Sequence, residues 1–197
     1  DPHEISDALI EVIAGNARIC RHLHIPAQAG DDGILRAMRR RNSAADYFEL
    51  VDRLRRALPD LAITTDIIVG FPGETDTHFQ ATYDFCTAIG FSKIHVFPYS
   101  RRRGTRAATM PGHVEVAVRK ERAQRLLELS DALALSYHKS LVGRPLEVLI
   151  EAPSDKYADY MQGLTDTYVR VHMPAGQIAE PGALAEVVAT EAFSDGL

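Results

Sequence analysis

The sequence predicts an α/β fold followed by a smaller unit built from strands alone. Over residues 1–139, short apolar strands alternate with helical segments, an order that produces parallel strands in right-handed βαβ units. Over residues 140–197, short strands are separated by Pro, Gly and Asp turns, with no helical pattern between them. The first unit is therefore a doubly wound sheet or part of a (β/α) barrel, and the second is a small β-barrel.

The helices of the first unit are marked by apolar spacing and by their end signals. A helix over residues 3–15 precedes the first strand, and a short helix ending near Arg41 follows that strand. Ser43 and Asp46 resemble a capping box that opens a helix over residues 44–57.

Two further helices complete the first unit. Thr75 is placed to cap a helix over residues 76–89, and Gly90 is placed to end it. A long amphipathic helix covers residues 112–138 and leads into the all-β unit.

Three strands, over residues 21–28, 61–69 and 91–99, each have one apolar and one polar face. Alternate residues of a strand share a face. The polar faces carry His22, His24, Gln28, Asp66, Lys93, His95 and Tyr99. Parallel strands that are buried on both faces are continuously apolar, so a polar face predicts a cavity. In α/β barrels such a cavity opens at the C-terminal ends of the strands.

A glycine-rich turn, GFPGET over residues 70–75, follows the second strand and precedes a helix. Gly70 and Gly73 carry no side chain, so their amides and carbonyls can approach a ligand closely. Glu74 either orients the turn or accepts a hydrogen bond from the ligand. No Lys follows, as a phosphate-binding P-loop requires, and Glu74 repels anions. A neutral or cationic ligand is therefore expected.

Composition narrows the class of protein. The 197 residues carry a formal net charge of -5 and contain no apolar run of the roughly 20 residues that a membrane span needs. Cys20 and Cys86 are far apart and form no C-x-x-C pair, which argues against a disulfide framework or a zinc site. We expect two ordinary thiols in a reducing compartment, the cytoplasm, and no membrane partner.

One metal hypothesis stays open on the residues alone. His22 and His24 are two apart on a strand and point the same way, and Asp66 could complete a site of the kind found in barrel hydrolases. The H-x-H pattern is frequent by chance, so this is the weaker of the hypotheses for the polar face.

Three segments together resemble the methylthiotransferases, a branch of the radical S-adenosylmethionine enzymes. They are HLHIPAQAG (residues 22–30), ITTDIIVGFPGET (63–75) and KIHVFPYSRRRGTRAATM (93–110). A fourth segment, GLTDTYVRV (163–171), resembles the family's C-terminal TRAM domain, a small RNA-binding β-barrel. By this resemblance residues 1–139 are the C-terminal portion of a partial (β/α) radical SAM barrel, and residues 140–197 are a TRAM-like barrel.

The resemblance implies the ligand. In this family S-adenosylmethionine lies across the top of the barrel, and its methionyl part chelates a [4Fe–4S] cluster. The residues implied to bind S-adenosylmethionine are His24, Gln28, Asp66, Gly70, Pro72, Glu74, Phe97 and Tyr99.

The chain departs from the family pattern in several places. The cluster triad C-x-x-x-C-x-x-C is absent, as is the N-terminal domain with cysteines for a second cluster, and neither Cys20 nor Cys86 replaces them. We therefore expect two [4Fe–4S] clusters in a longer protein, with no metal ligand and no catalytic residue in this chain, which alone is inactive. Ala27, Ala29 and Arg103 also stand where the family usually has a larger apolar residue, a hydroxyl and a proline.

The resemblance places the start of the chain after the third strand of the barrel. The strand over residues 21–28 then has no upstream partner, and an unpaired strand edge is a template for pairing with another chain. We expect self-association through this edge.

Three substrates compete within the family. FSKIHVFPYS (residues 91–100) most resembles the branch that methylthiolates threonylcarbamoyladenosine next to the anticodon of tRNA. The other branches act on isopentenyladenosine in tRNA or on a ribosomal-protein aspartate. In the loop where the last branch has an acid, this chain has a basic cluster of Arg101, Arg102, Arg103 and Arg106, predicted to contact tRNA. A non-catalytic RNA-binding protein and a metal-dependent hydrolase remain alternatives.

Overall fold

The computed structural model of the chain describes residues 2–177 and 180–197. The predicted alternation of helices and strands is confirmed. The elements of the first unit are α1 (Asp7–Gly15), β1 (His22–His24), α2 (Asp32–Ala37), α3 (Ala44–Ala57), β2 (Ala62–Val69), α4 (Asp76–Ile89), β3 (Lys93–Pro98) and α5 (Val116–Lys139). Short 3-10 helices lie at Pro2–Glu4 and Arg106–Thr109.

The three strands of this unit form one parallel sheet in the order β1-β2-β3. His24 is opposite Thr64 on β2, and Asp66 is opposite His95 on β3. This register brings the polar side chains of all three strands together on one face of the sheet. The other face is apolar and packs against the helices, as the alternating pattern predicts.

Local signals in the sequence set the helix ends. Ser43 and Asp46 form the predicted capping box, in which each side chain accepts from the other residue's amide. Thr75 caps α4 with His78 as its reciprocal partner. Gly90 ends α4 in the left-handed conformation, with φ 65°, which a glycine adopts without steric cost.

The core between the sheet and its helices is organised around Tyr47. Its ring is fully buried and packs edge-on against Phe85 and Phe91, with centroids 5.4 and 6.0 Å away. Its hydroxyl donates to the carbonyl of Ile25 at 2.7 Å, and the Thr65 hydroxyl donates to the same carbonyl at 2.8 Å. These bonds satisfy the backbone where the chain leaves β1.

The strand predicted over residues 21–28 is shorter than expected. Regular pairing stops at His24, and only Gln28 returns to the sheet, in a single bridge to Ile67. Pro26 has no amide to donate, and the Ala27 amide bonds instead to the Thr65 hydroxyl at 2.9 Å. Gln28 has φ 72°, so the two-residue alternation does not hold beyond His24.

The predicted all-β unit is a four-stranded antiparallel sheet of β4 (Pro145–Pro153), β5 (Tyr160–Thr165), β6 (Arg170–Pro174) and β7 (Leu184–Val188), in the order β6-β5-β4-β7. It curls into half of a barrel, with β6 and β7 as its edges. The edge of β6 is covered by the C-terminal Leu197, whose amide donates to the Arg170 carbonyl at 2.9 Å. The sheet therefore has a core of its own, built around Val148 and Ile150.

The two units meet along the C-terminal half of α5. The Arg144 guanidinium donates to the Asp60 carboxylate at 3.0 Å, and the Tyr137 hydroxyl donates to the Asp60 carbonyl at 3.3 Å. His138 is buried, and its Nδ1 donates to the Phe193 carbonyl at 2.6 Å.

The pH dependence of folding tests this junction. Burial lowers the pKa of His138, although the Phe193 carbonyl and Asp195 oppose the shift. Since the folded-state pKa lies below the unfolded value, the stability that neutral His138 contributes is lost as pH falls below about 6.5. We expect a smaller free energy of unfolding at pH 5 than at pH 7.5 in urea denaturation. His138→Asn should flatten this slope; an unchanged slope would contradict the assignment.

β1 lies at an outer edge of the parallel sheet, so self-association through it stays a prediction that sedimentation over a range of concentrations tests. Among the described residues, no helix is both long and apolar enough to cross a membrane.

Candidate functional site

The polar face of the sheet borders two cavities. The larger, which we call the sheet-face cavity, has a volume of about 560 Å³ and lies between the sheet and the β unit. The smaller, the strand-end cavity, has a volume of about 280 Å³ and lies where β1 and β2 end. The sequence predicted one continuous cavity, whereas the structure divides the polar side chains between these two.

The strand-end cavity has apolar walls and a basic rim. Its walls come from Ile68, Phe71, Met38 and Met110, with the polar side chain of Gln28 among them. Three arginines also line this cavity: Arg39, Arg40 and Arg106. In the part of the chain that the structure describes, none of the three forms an ion pair, so their charge is available to a ligand.

Two lining residues of the strand-end cavity have strained backbone. Gln28 has φ 72° and Arg39 has φ 61°, and neither is a glycine. Gln28 is held in place because its amide donates to the Asp66 carbonyl at 2.8 Å and its carbonyl accepts from the Ile68 amide at 2.9 Å. Such residues cost of order 1–3 kcal/mol each and cluster at ligand sites. The φ of Arg39 belongs to the end of α2, because its amide donates to the Arg36 carbonyl and the Arg40 amide donates to the Leu35 carbonyl. Gln28 has no such role, and its position makes this cavity the candidate binding site.

The glycine-rich turn, residues 70–74, forms the wall beside this cavity. Gly70 has φ 72° and Gly73 has φ 88°, conformations that residues other than glycine rarely adopt. The Gly70 amide donates to the Glu74 carboxylate at 2.8 Å, and the Glu74 amide donates to the Phe71 carbonyl at 2.9 Å. The turn therefore closes on itself, and Glu74 orients it.

A buried arginine on α5 completes this turn. The Arg122 guanidinium donates to the Glu74 carboxylate at 2.6 Å, and the two side chains are 5% and 2% exposed. Its other nitrogen donates to Asp76 at 2.6 Å. Burial raises the pKa of Glu74, whereas the Gly70 amide and Arg122 favour the charged carboxylate. Arg122 is the counter-ion that lets Glu74 sit inside the fold.

A second arginine, one turn earlier on α5, holds the adjacent strand end. The Arg119 guanidinium donates to the Tyr99 carbonyl, just after β3. Its aliphatic stem lies so close to Gly70 that a Cβ there would be 2.1 Å from the Arg119 Cγ. Arg119 thus holds the segment that follows β3, and Arg122 holds the turn that follows β2. Both side chains lie on the same face of α5.

Six of the eight residues predicted to bind S-adenosylmethionine lie in three places. Gln28 lines the strand-end cavity, and His24 and Asp66 line the sheet-face cavity. Gly70, Pro72 and Glu74 are buried in the turn.

Phe97 and Tyr99 end the β3 segment in different environments. Phe97 is 51% exposed, whereas the half-buried Tyr99 ring packs against Phe71, with centroids 5.4 Å apart. The Tyr99 hydroxyl is buried and has no hydrogen-bond partner among the described residues. It is therefore a polar atom beside the strand ends that a ligand could satisfy.

The histidines of the metal hypothesis bind a hydroxyl. His22 Nε2 and His24 Nδ1 lie 3.1 and 3.0 Å from Thr64 Oγ1, and His24 Nε2 lies 3.4 Å from Asp66. Within residues 2–177 and 180–197, no group of three or more His, Cys, Asp or Glu side chains is arranged to hold a metal ion. These ring nitrogens of His22 and His24 are therefore engaged by Thr64 and Asp66.

The predicted RNA-binding arginines lie in and after the loop that follows β3. Arg101, Arg102 and Arg103 are exposed, and Arg106 begins the 3-10 helix and lines the strand-end cavity. The structure therefore brings one of the four to the candidate site.

Neither cysteine is suited to hold a cluster. Cys86 is buried, and burial raises its pKa to about 12, so its thiol stays protonated. Cys20 is exposed and lines neither cavity.

Sequence reasoning missed Arg119, Arg122 and the roof of the sheet-face cavity. A buried carboxylate needs a positively charged partner. Glu74, which follows a buried strand, was therefore the signal in the sequence for a buried cation such as Arg122. The segment over residues 163–171 was recognised, but nothing in it pointed to the contact of the Tyr168 ring with His22.

Comparison with known proteins agrees with the resemblance. Residues 2–86 match the model of the radical SAM superfamily. The chain is 42% identical over 176 residues to the tRNA-2-methylthio-N(6)-dimethylallyladenosine synthase of Moorella thermoacetica, covering 89% of this chain and 40% of that protein. It is 46% identical over 182 residues to the protein of that name from Mycobacterium sp. (strain MCS), covering 91% and 35%.

A third relative of the same name, from Thermoanaerobacter pseudethanolicus, is 43% identical over 190 residues, which is 96% of this chain and 40% of that protein. The chain thus spans about two fifths of the length of the curated relatives it matches. Both units of the chain are included in these alignments. The radical SAM match and these relatives show that the chain belongs to the methylthiotransferase family of radical SAM proteins.

Proposed function

We propose that this chain is the cofactor-binding and RNA-binding part of an enzyme that adds a methylthio group to isopentenyladenosine in tRNA. Isopentenyladenosine is another name for the dimethylallyladenosine in the names of the relatives. The observation that carries the proposal is the 42–46% identity to these synthases over most of the chain.

The choice of substrate differs from the main prediction made from the sequence. The segment over residues 91–100 favoured threonylcarbamoyladenosine, with isopentenyladenosine as an alternative. The three relatives described above support the alternative, because each name specifies dimethylallyladenosine. Similarity over both units is stronger evidence about the substrate than the resemblance of residues 91–100 alone.

The strand-end cavity fits the adenosine part of S-adenosylmethionine. A purine ring can stack on the apolar walls, and the Gln28 amide can hydrogen-bond its edge. The Tyr99 hydroxyl supplies a buried polar atom at the same strand ends. When bound, S-adenosylmethionine would supply the radical chemistry of the family. The residues of this chain bind and orient it, and the two cysteines do not fit a [4Fe–4S] cluster.

Binding of S-adenosylhomocysteine to the chain tests this placement, because it needs no cluster. Gln28→Gly keeps the backbone conformation, since glycine adopts φ 72° freely, but removes the side-chain amide. We expect affinity to fall about tenfold by equilibrium dialysis. His95→Ala is the matched control in the sheet-face cavity and should leave affinity unchanged. The opposite pattern would place the ligand in the sheet-face cavity.

The basic loop is proposed to contact tRNA. Arg101, Arg102 and Arg103 are exposed and form no ion pair among the described residues, so their charge is free to neutralise phosphates. Replacing all three with Gln should weaken tRNA binding and lower the slope of log K against log salt by about one per lost contact. Lys120→Gln, an exposed cation on α5, is the control. If the triple variant bound tRNA as tightly as the unmodified chain at every salt concentration, the three arginines would not contact tRNA.

The substrate itself is tested on the full-length protein that contains this chain. With reconstituted clusters, S-adenosylmethionine and a sulfur source, it should methylthiolate tRNA that carries isopentenyladenosine. Mass spectrometry of the nucleosides would detect the product. Modification of tRNA carrying only threonylcarbamoyladenosine would restore the prediction made from residues 91–100.

A further inference from the structure

Residues 190–197, which we call the C-terminal segment, lie against two parts of the β unit. The Leu197 amide donates to the Arg170 carbonyl on β6 at 2.9 Å. The Asp195 carboxylate pairs with the Lys156 ammonium at 3.0 Å. Lys156 belongs to the turn between β4 and β5, so the segment is held by that turn as well as by β6.

The turn between β4 and β5, residues 154–159, is organised around the Ser154 hydroxyl. The amides of Lys156 and Tyr157 both donate to Ser154 Oγ, at 3.1 and 3.0 Å. His172 on β6 contacts the same oxygen, with its Nδ1 2.8 Å from Oγ. One hydroxyl group therefore connects the turn to β6.

The three contacts at this oxygen fix the protonation state of His172. A hydroxyl has one proton and two lone pairs. The two turn amides occupy both lone pairs, so the Ser154 hydroxyl donates its proton to His172, and Nδ1 accepts it. When all three contacts are made, His172 is therefore neutral and carries its own proton on Nε2.

A second proton on His172 is incompatible with this arrangement. An imidazolium has a proton on both ring nitrogens, so Nδ1 would have to donate to an oxygen whose lone pairs are already occupied. Either the ring turns away from Ser154, or one of the two turn amides loses its acceptor. In both cases the turn that positions Lys156 loosens, and its ion pair with Asp195 loosens with it.

The other histidine beside the C-terminal segment responds differently. His138 donates through Nδ1 to the Phe193 carbonyl at 2.6 Å. This hydrogen bond is the same whether or not Nε2 also carries a proton. Protonation of His138 thus adds a charge at the junction of the units without breaking a bond to the segment, whereas protonation of His172 changes the hydrogen bonds of the turn.

The charges around the His172 ring set the pH range of this change. Burial, and secondarily Lys156, lowers the pKa of His172, whereas Asp155 and Asp195 oppose the shift. Since the folded-state pKa lies below the unfolded value, the contribution of neutral His172 to stability is lost as pH falls below about 6.5. The charged groups that face the ring are Asp155 and Lys156 in the turn, Arg170 on β6, Asp195 in the C-terminal segment, and Glu186 and Glu191 across the neighbouring cavity.

We propose that His172 is a pH switch that controls how firmly the C-terminal segment is held. Neutral His172 keeps the turn in the form that pairs Lys156 with Asp195, and protonated His172 releases the turn. Because Ser194 and Asp195 line the sheet-face cavity, the release alters one wall of that cavity. The switch depends neither on S-adenosylmethionine nor on the tRNA substrate, so it can fail while the proposed function holds.

Nitrogen-15 NMR of the histidine rings tests the first step. At pH 7.5 the chemical shift of His172 Nδ1 should be that of an unprotonated nitrogen that accepts a hydrogen bond, and Nε2 should carry the proton. A proton on Nδ1 at this pH would overturn the switch, because the Ser154 oxygen would then have no lone pair to accept it.

Amide hydrogen exchange of the same chain measures the release of the turn. We expect the protection of the Lys156 and Tyr157 amides, corrected for intrinsic exchange at each pH, to fall about fivefold as His172 takes up a proton. The midpoint of this fall should coincide with the titration of the His172 ring. Different midpoints, or protection that stays constant from pH 7.5 to pH 5, would contradict the proposal.

Three variants assign the effect to named groups. His172→Asn places an amide oxygen where Nδ1 lies, so it accepts from Ser154 at every pH, and protection should become independent of pH. Ser154→Ala removes the shared oxygen, and protection should be low at both pH values. His138→Asn is the matched control and should keep the pH dependence of both amides, and thermal unfolding shows whether each variant is folded. A pH dependence that survives in His172→Asn would overturn the switch.

Discussion

Replacing Arg122 with leucine is expected to lower the free energy of unfolding by about 3–5 kcal/mol. The substitution leaves the Glu74 carboxylate buried without its counter-ion, and the side chain is only 2% exposed, so water cannot replace the lost partner. Urea denaturation followed by circular dichroism measures the difference. The loss should be among the largest that a single substitution can cause in this chain.

The pH dependence and a second substitution separate this cause from simple loss of packing. Without Arg122 the pKa of Glu74 rises further, so Glu74 takes up a proton in the folded state. A carboxyl whose folded-state pKa is raised contributes stability at low pH, and that contribution disappears as pH rises through the folded-state pKa. The deficit of Arg122→Leu should therefore be smaller at pH 5 than at pH 8.

Adding Glu74→Gln to Arg122→Leu should recover part of the loss, because the buried charge is then gone. Arg56→Leu, which removes an exposed pair with Asp52 on α3, is the control and should change stability little. A double variant no more stable than Arg122→Leu would show that the arginine acts through packing alone.

Gly70→Ala should be the second most damaging substitution. At φ 72° an alanine costs about 1–2 kcal/mol from backbone strain. Its Cβ would also lie 2.1 Å from the Arg119 Cγ, which cannot move without breaking the bond to the Tyr99 carbonyl. Overpacking of this kind adds about 1–3 kcal/mol. We also expect affinity for S-adenosylhomocysteine to fall, because both strand ends shift.

Gly73→Ala is the matched control. Gly73 has φ 88°, so it shares the backbone strain, but an added Cβ would meet no heavy atom within 4 Å. The difference between the two variants in urea denaturation isolates the contact with Arg119. Equal losses would mean that Arg119 moves aside freely and does not hold the strand end.

The sequence predicted those features that depend on neighbouring residues. Helix caps at Ser43 and Thr75 and the left-handed Gly90 are local, since each partner lies within four residues. The polar and apolar faces of β2 follow from the alternation of its own side chains. The change from alternating helices and strands to strands alone also follows from local patterns, over residues 1–139 and 140–197 respectively.

Features that depend on distant residues were not predicted. The partner of Glu74 lies 48 positions away on α5, and the roof over His22 comes from Tyr168 in another unit. The prediction that the strand continues beyond His24 was also wrong, because Pro26 and the hydrogen bond from the Ala27 amide to the Thr65 hydroxyl redirect the chain. The division of the polar face into two cavities follows from these long-range contacts, which no window of the sequence contains.

The distance in the chain between Glu74 and Arg122 has a consequence for synthesis. Glu74 is synthesised 48 residues before Arg122, so for that interval its carboxylate can bond to water and to the Gly70 amide but has no counter-ion. A nascent chain that ends within α4 or β3 can pair its strands but has no reason to bury Glu74, and the turn at Gly70 stays open. The turn is therefore expected to close only after α5 has emerged and packed against it.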